Sequence, residues 1–142
     1  MRSKLVNGNP KTYVLVFETG DEVIEGLTAF ASANSIAACG LTAIGALSKV
    51  EVGYFDFSIK DYKPIHITEQ VEVLSLIGDI SLYENEPKIH AHVVVGKADG
   101  TAHGGHLLKA YVNPTLEVVL TELPAYLNRV RDEASGIPLI KL

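Results

Sequence analysis

Four of the five histidines in this chain fall in one short stretch, KIHAHVVVGKADGTAHGGHLLKA, from Lys88 to Ala110. His90 and His92 stand two residues apart, which on a β-strand puts both imidazoles on one face, about 6–7 Å apart along the chain. His103 and His106 follow an Asp99-Gly100 pair that has turn chemistry. Neutral imidazoles are ligands for zinc, nickel, copper or iron, and three of them leave coordination positions open for water or a further ligand. An H-x-H pair also occurs on plain hairpins, where the rings only make ordinary hydrogen bonds.

Whether a third imidazole joins His90 and His92 depends on the parity of the turn. With a two-residue Asp99-Gly100 turn, His92 lies opposite Leu107 and His106 faces the other side of the sheet. With a three-residue loop, Ala98-Asp99-Gly100, Gly100 takes the left-handed position of a type I turn with a G1 bulge. His92 then falls opposite His106, and His103 points to the other face, opposite Val95. Both registers are compatible with the sequence, and Gly104-Gly105 could add a bulge of its own. The three-residue loop has two points in its favour: Gly stands where positive φ is needed, and Val93 and Val95 share the face opposite the histidines.

Other side chains add less. His66, in KPIHITEQ, reads as a structural or surface residue, and Glu69, Asp79 and Glu117 are equal candidates for a partner to an imidazole or a general base. Cys39, in IAACGLTAIG, reads as a small core hydrophobe. No G-x-S-x-G elbow, CxxC pair, P-loop or Rossmann fingerprint occurs. The sequence therefore assigns no reaction, and a catalytic role is left unassigned.

The elements that must position these side chains are mostly strands. KTYVLVFETG is β-rich, and TGDEVIEGLTAFASANS holds the one firm helix, about Asp21 to Ala33 with Asn34 at its end. Thr19 and Glu22 match a capping box, and Val23, Ile24, Leu27, Phe30 and Ala31 make one apolar face. From Ala38 the pattern turns to strands, with Gly40, Gly45 and Gly53 marking bends, bulges or close approaches. IKDYKP and YENEPK read as turns around the strand-like run HITEQVEVLSLIGDISLY. PTLEVVLTELP reads as a strand bounded by Pro114 and Pro124, followed by a short amphipathic helix around Ala125–Glu133 and an extended IPLIKL. Strands dominate and no βαβ alternation appears, so the expected class is α+β, with a largely antiparallel sheet.

Composition bounds the rest. The 142 residues, 47% apolar and 20% charged, suit one domain, residues 1–142, able to bury a core without staples. No apolar run approaches the roughly 20 residues of a membrane-spanning helix, so no membrane partner is expected. The opening MRSKLVNGNPKTYVLVFETG is a weak match to a signal peptide, and the single cysteine permits no intrachain disulfide; a cytoplasmic location is expected. A net charge of −5 disfavours tight binding to a phosphate backbone, and the densest basic pair, Arg129 and Arg131, sits beside Asp132 and Glu133.

Taken together, TGDEVIEGLTAFA, GLTAIGALSKVEVGYFD, EQVEVLSLIGDISL, the histidine stretch and PTLEVVLTEL resemble the PPC domain, the plant-and-prokaryote-conserved domain, over roughly Leu5 to Leu123. The most specific part is the H-x-H strand, the Asp-Gly turn and Gly104 to Leu107. The resemblance implies a mostly antiparallel curved sheet with one main helix packed on it, and assembly as a homotrimer. It also implies a divalent metal, taken as zinc, held by His90, His92 and His106. In plants the domain accompanies AT-hooks, short basic elements that enter the DNA minor groove, so the alternative is a DNA-associated regulatory or assembly module. This sequence carries no Arg-Gly-Arg, which leaves DNA weakly supported as a partner. Which small-molecule ligand, if any, the domain takes is left unassigned.

Overall fold

Alternating apolar residues make the strands of this chain long, and their length sets the architecture. The computed structural model describes residues Met1–Leu142. The chain runs β1 (Arg2–Gly8), β2 (Lys11–Glu18), α1 (Val23–Ala33), β3 (Ala38–Asp56), β4 (Asp61–Ile67), β5 (Val71–Tyr83), β6 (Glu86–Gly96), β7 (Ala102–Glu122), β8 (Asn128–Arg131) and β9 (Pro138–Lys141). In β2 the buried residues Tyr13, Leu15 and Phe17 occur at every second position, the period of a strand with one face on a core.

All nine strands join one sheet. β3 pairs with β7 and β5, β5 with β6, and β6 with β7, so these four strands form a closed ring of ladders. β7 closes it because its first residues, Ala102–His106, pair with β6 while the rest lies along β3. β1 and β2 extend the sheet beyond β7, β4 pairs with β3, and the β8–β9 hairpin touches β5 through one parallel bridge, Leu82–Asn128.

This architecture corrects the expected α+β class with a helix layer on the sheet. Strands account for 67% of the chain and the single helix for 8%, within a mixed nine-stranded sheet. Of the 29 residues in the apolar core, only Val23, Leu27, Phe30 and Ala31 come from α1. The closed ladder brings strands of opposite sides face to face, so the strands bury one another and need no helical layer.

Two local expectations also change. The helix begins at Val23 with Glu22 as its N-cap, not in a Thr19 capping box. Glu22 Oε2 accepts from the Glu25 amide at 2.7 Å and Oε1 from the Ala110 amide of β7 at 2.9 Å, so one carboxylate ties helix to sheet. Thr19 instead turns its hydroxyl to the Pro114 carbonyl. The short helix expected around Ala125–Glu133 is a turn and β8, because a brief amphipathic run gains little as an isolated helix and here pairs with β9. Pro114 does not end a strand. It sits inside β7, in a bulge where the ladder to β3 jumps from Leu47–Val112 to Gly45–Leu116, and where its missing N–H costs no ladder bond.

Glu22→Ala removes the cap and leaves the Ala110 amide without an acceptor. It should lower stability by about 2–4 kcal/mol in denaturant unfolding, and Glu22→Gln, which keeps an acceptor, by clearly less.

Candidate metal centre

The hairpin between β6 and β7 resolves the parity question. Gly100, at φ +82°, occupies the left-handed position. Its amide donates to the Lys97 carbonyl, and the Lys97 amide donates to the Thr101 carbonyl, both at 2.9 Å. Asp99 Oδ1 accepts from the Thr101 amide at 2.9 Å and its hydroxyl at 2.6 Å, clamping the tip. The loop is therefore Ala98-Asp99-Gly100, and the register is His92–His106, Val93–Gly105, Val94–Gly104 and Val95–His103, with no extra bulge at the two glycines. Gly104 and Gly105 are needed as they stand: a Cβ on Gly104 would lie 2.6 Å from the Val93 carbonyl oxygen, and one on Gly105 2.9 Å from that of Gly53.

His90, His92 and His106 consequently share one face, with one ligand nitrogen from each ring within 4.8 Å of the others. Ring centroids stand 5.3, 5.3 and 5.5 Å apart, a nearly equilateral triangle. His92 is exposed, while His90 and His106 are half-buried. His103 faces away, exposed, with Nε2 3.4 Å from the Thr101 hydroxyl. His66 is a surface residue on β4, 3.4 Å from Glu51.

Of the three acidic candidates, the fold brings Asp79 to the triangle. Asp79 lies directly opposite His90 on β5, with Oδ2 3.8 Å from His90 Nδ1. Glu69 is engaged by Lys97 at 2.7 Å, and Glu117 pairs with Val16 and Ile44 away from the cluster.

Two neighbours had no sequence signal strong enough to assign them. Tyr62 stacks on His106, ring centroids 4.3 Å apart and 19° from parallel. Its ring lies over Gly53, where a Cβ would come within 2.7 Å, so the glycine that marked a close approach was the one available clue. Arg129 reaches in from β8, with Nη2 2.5 Å from Asp79 Oδ1 and Nη1 3.0 Å from the Pro138 carbonyl. In the sequence it is one of a basic pair beside Asp132 and Glu133.

Burial keeps two of these rings, His90 and His106, neutral. Burial, reinforced by His90 and His92, pushes the His106 pKa down to about 4. Burial and then Arg129 lower that of His90, against the pull of Asp79. His106 Nδ1 is buried with no hydrogen-bond partner, a position in which a lone pair finds no use except with a ligand. Three converging imidazoles, one with an orphaned nitrogen and one facing a carboxylate, fit the donor set and outer support of a divalent transition metal.

A closed strand ladder carrying three imidazoles on a hairpin face defines a β-domain with a candidate metal centre. The chain belongs to the Plants and Prokaryotes Conserved (PCC) domain family, whose model matches residues 6–124. It is similar to a plant- and prokaryote-conserved protein of Pyrococcus horikoshii, 31% identical with a TM-score of 0.88 over 99% of this chain and 95% of that one. It is similar to a metal-containing protein of Archaeoglobus fulgidus, 30% identical with a TM-score of 0.86 over 99% and 97% of the two chains. A candidate DNA-binding protein of Bacteroides thetaiotaomicron shares 27% identity and a TM-score of 0.87, over 92% and 91%. Among curated proteins, the chain spans about a fifth (20%) of the length of the relative it matches at 30% identity, the bifunctional protein GlmU of a Synechococcus strain.

The depressed histidines make acid stability predictable. A histidine whose folded pKa lies below its unfolded value near 6.5 takes up protons preferentially in the unfolded chain. Its contribution is complete above that value and is lost as pH falls towards the folded pKa, about 4 for His106. Metal-free protein should therefore lose stability steadily from pH 6.5 down to 4 in denaturant titrations, and His106→Asn should flatten that slope.

Proposed function

We propose that this domain binds one divalent metal, zinc, through His90, His92 and His106, and that it works as a homotrimer. The observation that carries the reading is the cross-strand pairing of His92 with His106 beside His90, which gathers three imidazoles on one face. Likeness to the metal-containing protein of Archaeoglobus fulgidus supports it. A zinc ion in such a set supplies Lewis acidity and lowers the pKa of a bound water. The chain's own residues orient the set: Asp79 faces His90, the Tyr62 ring holds the plane of His106, and Arg129 fixes Asp79.

Assembly is supported by an apolar face that one chain leaves open. Ile44, Leu74 and Ile77, 62%, 56% and 62% exposed, line one depression with Val119. Ile77 lies directly opposite His92, so this face runs up to the cluster. Contiguous exposed apolar area of this kind is what association buries. No helix is long and apolar enough to cross a membrane. We assign the domain to the cytoplasm, a reducing compartment in which its one cysteine, a buried thiol, needs no partner.

Likeness to the candidate DNA-binding protein of Bacteroides thetaiotaomicron favours a second reading, a DNA-associated assembly module. The net charge of −5 counts against it.

Elemental analysis of purified, zinc-loaded protein should give about one metal per chain. His92→Ala should lose it with the trimer intact, and Asp79→Asn should weaken affinity about 10–100-fold. Wild-type protein that holds no stoichiometric metal sinks the metal reading, and salt-sensitive DNA binding by metal-free protein would support the second one. Light scattering should give a trimer that Ile77→Glu dissociates.

A further inference from the structure

Beside the imidazole triangle lies a cavity of about 140 Å3. Ile89, Ile137 and Leu139 give it apolar walls, and its polar lining consists of Lys88, His90, His106 and Arg129, with no carboxylate. Much of this lining comes from the β8–β9 hairpin, outside the residues 6–124 that the family model matches. Arg129 is only 6% exposed. Two of its nitrogens are engaged by Asp79 and the Pro138 carbonyl, while Nε is buried with no partner. A guanidinium carries five N–H donors and Arg129 lines the cavity, so an acceptor bound there can take an N–H that Asp79 and the Pro138 carbonyl leave free.

We propose that this cavity binds a small monocarboxylate with an apolar body. The carboxylate is turned towards Arg129 and the three-histidine centre, and the hydrocarbon part rests against Ile89, Ile137 and Leu139. The metal as one of two anchors rests on the function proposed above; Arg129 is the independent one. The volume is close to that of an engineered cavity that holds benzene, which sets the ligand at about six non-hydrogen atoms. A phosphate dianion fits less well, because the apolar walls make its second charge costly to desolvate.

Isobutyrate and its neutral counterpart isobutyramide, titrated by ligand-observed NMR into the full chain, zinc-loaded and chelator-treated, test the proposal. Loaded protein should bind isobutyrate with a Kd on the order of 1 mM, and the amide at least about tenfold more weakly. Arg129→Lys should cost about tenfold for the acid. Leu139→Trp, which fills the cavity and changes no charge, should abolish binding while metal content is kept. Chelator-treated protein should bind the acid more weakly yet still prefer it to the amide. Equal binding of acid and amide, undiminished binding to Leu139→Trp, or no binding to loaded wild type overturns the proposal. Failure of the metal reading appears separately, as no stoichiometric metal in the loaded sample. The acid-over-amide preference must then persist through Arg129, and its absence overturns the proposal in that case too.

Discussion

The cross-strand pair His92–His106 depends on a single residue of loop length, and most of what surrounds the site depends on that pair. In an antiparallel ladder a one-residue slip turns every side chain to the opposite face. The three-residue loop at Ala98–Gly100 sends Ala91, Val93, Val95 and Leu107 into the core and leaves His90, His92 and His106 on the other face. The apolar residues support this register as the loop does, since the alternative would turn Leu107 out of the core and His106 into it. Core packing and the candidate site are thus two consequences of one parity.

That hairpin also closes the sheet. β7 is long enough to leave β6 after His106 and continue along β3, and His106 pairs with both His92 and Gly53. At this junction three strands meet, and Gly53, Gly104 and Gly105 stand there. Gly53, Gly78, Gly104 and Gly105 all stand where a Cβ would press on a neighbouring strand or ring. Crowding presses Tyr62 onto His106 and half-buries the ring, and burial is the main cause of its low pKa. The packing that closes the ladder therefore also keeps the imidazole neutral and available as a ligand.

The helix has a smaller part than its clear sequence signature implied. Its apolar stripe reaches the common core, and Gly26 lets it sit against Phe17, where a Cβ would come within 2.4 Å. It packs against β6 and β7, adding to a core that the strands largely make for themselves. The Glu22 carboxylate, shared between the helix start and β7, fixes where it sits.

Local chemistry made much of this legible. Periodicity located β2, α1 with its Asn34 end, and the β6–β7 hairpin. The glycine at the left-handed position, with Asp before it, favoured the correct loop, and the H-x-H spacing placed two imidazoles on one face. Those features are decided by residues a few positions apart, so the sequence determines them. Ring closure is not local: it requires strands distant in the chain to meet, so the balance between sheet and helix is not legible in local patterns. The same holds for the residues that finish the site. Asp79, Tyr62 and Arg129 come from β5, β4 and β8, and nothing in their own neighbourhoods distinguishes them from Glu69, Tyr54 or Arg131. Only the tertiary structure brings them to the histidines, because long-range strand pairing, not local propensity, sets which distant side chains share a face.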